Sequence, residues 1–316
     1  MSEPGPHPEP KRVLITGISG AHAQLITTRL FDRGHTVFGI DRRPCPTLPK
    51  GIHVYQADIR KRPAADVFRS RKPEVVVHMA TTTHYSSSRQ ERLRINLHGT
   101  RTIFELCHTH GVKQAVFLGR HTIYGAAPGA PLFRTEDEPP LAVTTFPELA
   151  DLVAADLYAG TALWRFPSLG TAVLRLVYTL GPVHSSTLAN FLRGPRVPML
   201  MGFDPLFHFL HDYDAADAIV AAIEHNVRGV FNVCGPPPVP LSTLCRATGR
   251  STIPIPAGLF HRVNGHFGLS RLPRGAASHL AHPVVVDGQA FTNATGFKYR
   301  YDADAAMKAF RTSSPA

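Results

Sequence analysis

The feature that most restricts this chain lies near its start. A short apolar run, Arg12-Val13-Leu14-Ile15-Thr16, passes at once into Gly17-Ile18-Ser19-Gly20-Ala21-His22-Ala23, and Ala23, Ile26 and Leu30 then recur at helical spacing until Gly34. A buried strand that must reverse into a helix within so few residues needs a tight turn, and glycine at 17 and 20 permits one. The same glycines let the backbone approach a ligand closely. The small Ala23 lets helix pack on strand, and the unpaired N–H groups opening the helix attract an anion. Asp41 ends the next strand, Thr36 to Ile40, 18 positions beyond Ala23. At that distance a dinucleotide-binding chain places the carboxylate that accepts from the adenosine ribose hydroxyls. Such a carboxylate repels a 2′-phosphate and favours NAD over NADP, whereas Arg42 and Arg43 beside it would pair with that phosphate.

The alternation continues. His53 to Gln56, Glu74 to His78 and Gln114 to Leu118 read as further strands, with Leu93, Leu97, Phe104 and Cys107 marking one helix face before Gly111. Thr171 to Leu176 adds a sixth strand. Strand–helix alternation implies right-handed crossovers and a parallel sheet covered on both sides, hence an α/β, doubly wound architecture. Beyond about residue 182 proline and glycine become frequent (Gly194-Pro195, Pro236-Pro237-Pro238) and the alternation breaks up. The expected organisation is a flexible leader over 1–10, a Rossmann-type dinucleotide-binding domain over 11–182, and a smaller substrate lobe over 183–316 from which 229–235 returns to the main sheet.

The charge balance, 34 basic against 23 acidic residues for a net +11, raises nucleic acid as a partner. The basic residues are scattered, however, in groups no longer than Arg60-Lys61-Arg62, without an aromatic–basic ladder or a basic amphipathic helix. The expectation is an anionic small-molecule substrate and neither nucleic acid nor membrane, since no apolar run is long enough to span a bilayer. The N-terminal stretch has no apolar segment and Cys45, Cys107, Cys234 and Cys245 show no CxxC spacing, which suits a reducing cytoplasm. Eighteen histidines invite a metal reading, but His108 with His110, His208 with His211, and His261 with His266 lack a third partner at ligand spacing, so no metal is expected.

Taken with further motifs, the chain resembles the extended short-chain dehydrogenase/reductases, the NAD-dependent epimerase/dehydratase group. Ala57-Asp58-Ile59-Arg60 is similar to its adenine-contacting segment, Val75 to Ala80 to its fourth strand with Met79 and Ala80 at the cofactor, and Ile95-Asn96-Leu97-His98-Gly99-Thr100 to its Asn-containing helix. Phe117 to Gly125 resembles the fifth strand with its Tyr-Gly ending. The resemblance implies cofactor contacts at Gly17, Ser19, Gly20, Ala21, His22, Asp41, Arg42, Asp58, Ile59, Met79, Ala80 and Asn96. It also implies a nucleotide sugar as substrate and a homodimer packed through helices such as the one near Leu149 to Arg165.

The chain departs from that group where chemistry is done. Hydride transfer there needs a tyrosine acid/base with a lysine four residues later, whose ammonium lowers the phenol's pKa. No tyrosine here has that lysine, and none lies between Lys113 and Lys298. Registered on Asp156, the two positions fall on Glu148 and Leu152, and the family's serine falls on Arg120. Tyr85 with Arg89 is a formal Tyr-x-x-x-Arg in the wrong part of the fold. Arg120, His121, Thr122 and Tyr124 follow the fifth strand's carboxyl end, where such sheets bind ligands, and are the candidate catalytic groups. Two readings stand: an enzyme with non-standard acid/base groups, or a non-catalytic NAD(H)- or metabolite-sensing regulator. The single tryptophan, Trp164, suggests fluorescence quenching as a binding assay.

Overall fold

The computed structural model describes residues 9–82, 88–266 and 272–313. Its centre is a seven-stranded, wholly parallel sheet: β1 (Arg12–Thr16), β2 (Thr36–Asp41), β3 (His53–Gln56), β4 (Val75–His78), β5 (Gln114–Arg120), β6 (Gly170–Leu176) and β7 (Gly229–Val233). The spatial order is β7-β6-β5-β4-β1-β2-β3. The central strands β1 and β4 are apolar along most of their length because both faces are covered. Val13 and Ile15 of β1 and Val75 and Val77 of β4 face a core built with α1 (Ala21–Asp32), while Leu14 and Val76 between them face the other core. That second layer holds α2 (Arg62–Arg71), α3 (Gly99–Thr109) and α4 (Ala150–Arg165). A further helix, α5 (Asp212–Glu224), joins α1 on the first side.

One helical expectation needs correcting. Before α3, residues Arg94–His98 form a π-helical turn, whose i→i+5 bonding advances the chain by an extra residue. Leu93 is therefore turned outward, while Arg92 and Asn96 are buried.

From Tyr178 onward much of the chain gathers around its own apolar cluster, with Leu188, Leu192, Phe260 and Phe310 at its centre. It builds short strand pairs there, including Arg196–Leu200 beside Ser251–Ile255 and Tyr178–Leu180 beside Phe209–His211. Strand order reverses between β1 and β4, so the chains leaving their carboxyl ends diverge and open a crevice.

Candidate functional site

The crevice starts at the turn after β1. Gly17 has φ +76° and its N–H donates to Ile40 O at 2.8 Å. A Cβ there would lie 2.9 Å from the Ala80 backbone, so only glycine lets this turn pass the chain leaving β4. Gly20 opens α1 without a side-chain cap, which leaves the first-turn amides of the helix available to an anion. A buried relay anchors the turn from beneath. Thr100 Oγ1 donates to Asn96 O, and its oxygen lies 3.0 Å from His78 Nε2; His78 Nδ1 in turn faces Thr16 Oγ1 at 2.7 Å. The same Thr16 oxygen accepts from the Met79 and Ala80 amides. This pattern calls for a neutral ring, and burial holds the His78 pKa down at about 3.

Asp41 closes the far side and is almost fully buried; its Oδ2 accepts from Ser19 N at 3.1 Å and its Oδ1 from Arg43 N at 2.9 Å. Asp58 is gripped by the Arg60 guanidinium through both carboxylate oxygens, and that hydrogen bonding brings its pKa down to about 2. Together these groups line a cavity of about 460 Å³. Gly17, Ser19, Gly20, Ala21, His22, Asp41, Arg42, Asp58, Ile59, Met79 and Ala80 all border it. Asn96 does not. It lies behind the wall, its Oδ1 accepting from Thr82 N at 2.7 Å and its Nδ2 donating to Thr82 O and Asp151, and so fixes the loop after β4.

A second, smaller cavity of about 170 Å³ continues inward over the carboxyl ends of β5 and β6, lined by His22, Met79, Thr81, Leu118, Gly119, Arg120, Leu176 and Thr179. Of the four candidates after β5, only Arg120 borders it. His121 is buried with Nδ1 against Leu176 O and the edge of Tyr178, and burial drives its pKa well below the usual histidine value. Thr122 is buried too. Tyr124 is fully buried; its hydroxyl donates to Asn232 Oδ1 at 2.7 Å and accepts from Arg175 Nη1 at 2.9 Å, and burial raises its pKa. These three side chains are turned into the fold because the 3₁₀ turn His121–Tyr124 packs all of them inward. Glu148 accepts from Arg274 N at 3.0 Å, and Leu152 sits in an apolar cluster with Ile123, Phe146 and Val153. Tyr85 lies outside the described residues. Among the described residues no three His, Cys, Asp or Glu side chains converge as a metal site, and no helix is long and apolar enough to cross a membrane.

The spacing of motifs missed one constellation. His22, which borders both cavities, places Nε2 2.8 Å from Asp212 Oδ1 and 3.0 Å from Thr179 Oγ1. Asp212 lies 190 residues away at the start of α5, beyond the reach of any local signal; the one hint was a histidine inside the glycine turn.

The parallel sheet, its strand order and the crevice at the β1/β4 reversal define a Rossmann-type α/β protein. Residues 13–234 match the model of the NAD dependent epimerase/dehydratase family, and the chain belongs to that family. An uncharacterised protein of Mycobacterium tuberculosis is 29% identical over 262 residues, covering 79% of this chain and 69% of the relative. The 3-diazoavenalumate denitrifying reductase of a Streptomyces species is 29% identical over 300 residues, 87% of this chain and 94% of that one. Among solved structures, the UDP-glucose 4-epimerase of Thermus thermophilus, in complex with NAD, superposes with a TM-score of 0.75 at 20% identity over 96% of this chain and 98% of the other.

Proposed function

We propose that this chain binds NAD(H) in the crevice and uses it to oxidise or reduce an anionic small molecule, a nucleotide sugar or another phosphorylated compound, without the family's Tyr/Lys pair. The observation that carries the reading is Asp41. Its carboxylate is clamped by Ser19 N beside the phosphate-binding turn and has lone pairs to spare for ribose hydroxyls. The residues fit the dinucleotide: glycines where backbone must approach it, amides for its pyrophosphate, a carboxylate for its adenosine ribose. Bound there, NAD would supply a hydride acceptor or donor, and Arg120 in the inner cavity would face the substrate's negative charge. Structural relatives solved with NAD and a reductase among the sequence relatives support the cofactor and the hydride chemistry.

The sensor reading draws on Glu148 and Leu152, which stand at the register of the tyrosine and lysine and supply neither phenol nor ammonium. Turnover decides between the two: steady oxidation of NADH or reduction of NAD across a panel of nucleotide sugars marks the enzyme. For the cofactor itself, Asp41→Ala is expected to weaken NADH binding about 10- to 100-fold, the worth of a charge-assisted hydrogen bond or two. Calorimetry is the measurement of choice. Trp164 is 78% exposed near the end of α4 that leads into the amino end of β6, opposite the crevice, and is a poor reporter. Unchanged affinity in the variant would remove Asp41 from the ribose site.

Leu157 and Trp164, seven apart on one face of α4, are both exposed and are assigned to contact with a second copy. Trp164→Glu is then expected to shift the protein from dimer to monomer in sedimentation. A parent that sediments as monomer would refute the assignment.

A further inference from the structure

We infer that His22, braced by Asp212, is the acid–base group of the site, taking over the proton transfer for which this chain lacks a Tyr/Lys pair. The inference rests on the NAD(H) reading above and goes beyond it by naming the group that moves the proton.

Four observations converge on His22. It borders the dinucleotide cavity and the inner cavity alike, so it stands at their junction. Its Nε2 meets the Asp212 carboxylate at 2.8 Å and Thr179 Oγ1 at 3.0 Å, while Asp212 is 1% exposed. Asp212 is itself held in place, because its other oxygen accepts from Val183 N at 2.9 Å. With Nε2–H donating to the carboxylate, Nδ1 is left as the acceptor, and Ser185 Oγ lies 3.5 Å from it on the wall of the dinucleotide cavity. A buried carboxylate on one ring nitrogen fixes the tautomer and stabilises the imidazolium that forms when the other nitrogen takes a proton. None of the candidates after β5 has this arrangement, since His121 and Tyr124 are spent on buried contacts.

In the oxidising direction a substrate O–H bond breaks and its proton passes to His22 Nδ1. Bound NAD would take the hydride as the carbinol C–H bond breaks and the C=O bond forms. Reduction is the reverse, with His22 returning the proton to the carbonyl oxygen. The charged groups around it are Asp212 on α5, Arg120 across the inner cavity, and Asp41, Arg42, Arg43, Asp58 and Arg60 along the outer one.

The test needs no substrate. Oxidised nicotinamide carries a positive charge and the reduced ring does not, so a nearby imidazolium repels NAD⁺ and leaves NADH unaffected. The ratio of the NAD⁺ to the NADH dissociation constant, measured by calorimetry on the full chain from pH 5.5 to 8.5, is expected to rise on the acid side, approaching about tenfold per pH unit. His22→Gln should flatten this ratio. Asp212→Asn, which removes the brace and keeps the ring, should alter the pH dependence of the ratio, and serves if the first variant fails to fold or to bind the dinucleotide. A parent ratio that does not vary with pH, or one that survives His22→Gln, overturns the inference and leaves the cofactor reading standing. A parent that binds neither NAD⁺ nor NADH overturns both.

Discussion

Acidification from pH 7 to pH 5 is expected to cost this protein roughly 6 kcal/mol of stability. Buried histidines are responsible, foremost among them His78, His121 and His208. His78 has its pKa brought down to about 3 and His208 to about 4 by burial, and His121, packed near His208, is lowered as well. Their folded pKa values lie below the unfolded value of 6.5. As pH falls through that value the unfolded chain gains protons that the folded chain refuses. Each histidine therefore costs about 1.4 kcal/mol of stability per pH unit until its folded pKa is reached. The three together remove up to about 4 kcal/mol per unit, against a total of about 5–15 kcal/mol for a typical fold. The geometry agrees: His78 Nδ1 faces the Thr16 hydroxyl, and His208 Nδ1 accepts from Val286 N, so a proton on either ring displaces a hydrogen bond. Because Thr16 also receives the Met79 and Ala80 amides, the wall of the crevice should loosen first. Urea titrations at several pH values measure the effect. A midpoint unchanged between pH 7 and 5 would mean that these rings take up protons in the folded state.

Where neighbouring residues carry the information, the sequence is a good guide. The strand, turn and helix around Gly17 follow from chirality and packing alone, and Asp41 follows from the length of one strand–helix–strand unit. The return of Gly229–Val233 to the sheet edge beside β6 was legible as an apolar run isolated among prolines. What escaped depends on contacts between distant segments. Asn96 was placed at the cofactor by its motif, yet the π turn before α3 aims it at Thr82 and Asp151 instead. Tyr124 was a candidate for chemistry because it follows a strand end, but Arg175 and Asn232, each more than 50 residues away, claim its hydroxyl. The pairing of His22 with Asp212 required the chain to pass through five further strands of the main sheet and return over the crevice.

Asp156→Ala is expected to cost about 3–5 kcal/mol in urea denaturation, among the largest losses any single substitution in this fold should cause. Asp156 on α4 and Arg175 on β6 are 1% and 7% exposed as side chains and meet at 2.8 Å, Arg175 Nε and Nη2 both donating to the carboxylate. Removing the carboxylate leaves a guanidinium in the core with the Tyr124 hydroxyl and Glu136 O as its hydrogen-bond partners among the described residues. The loss does not measure how much the pair stabilises the fold. Burial pushes the Asp156 carboxyl up, while Asp156 holds the charge on Arg175, so the desolvation of two charges and their mutual attraction oppose each other. Replacing both charges at once, as Asp156→Leu with Arg175→Met, should therefore recover most of the single-variant loss. Full recovery is not expected, because Tyr124 would lose its donor and Gly119, whose absent Cβ would lie 2.5 Å from the carboxylate, would face a bulkier neighbour. A double variant as unstable as Asp156→Ala would show instead that the pair itself, with the hydrogen bonds tying α4 to β6 and to the turn after β5, is a net source of stability.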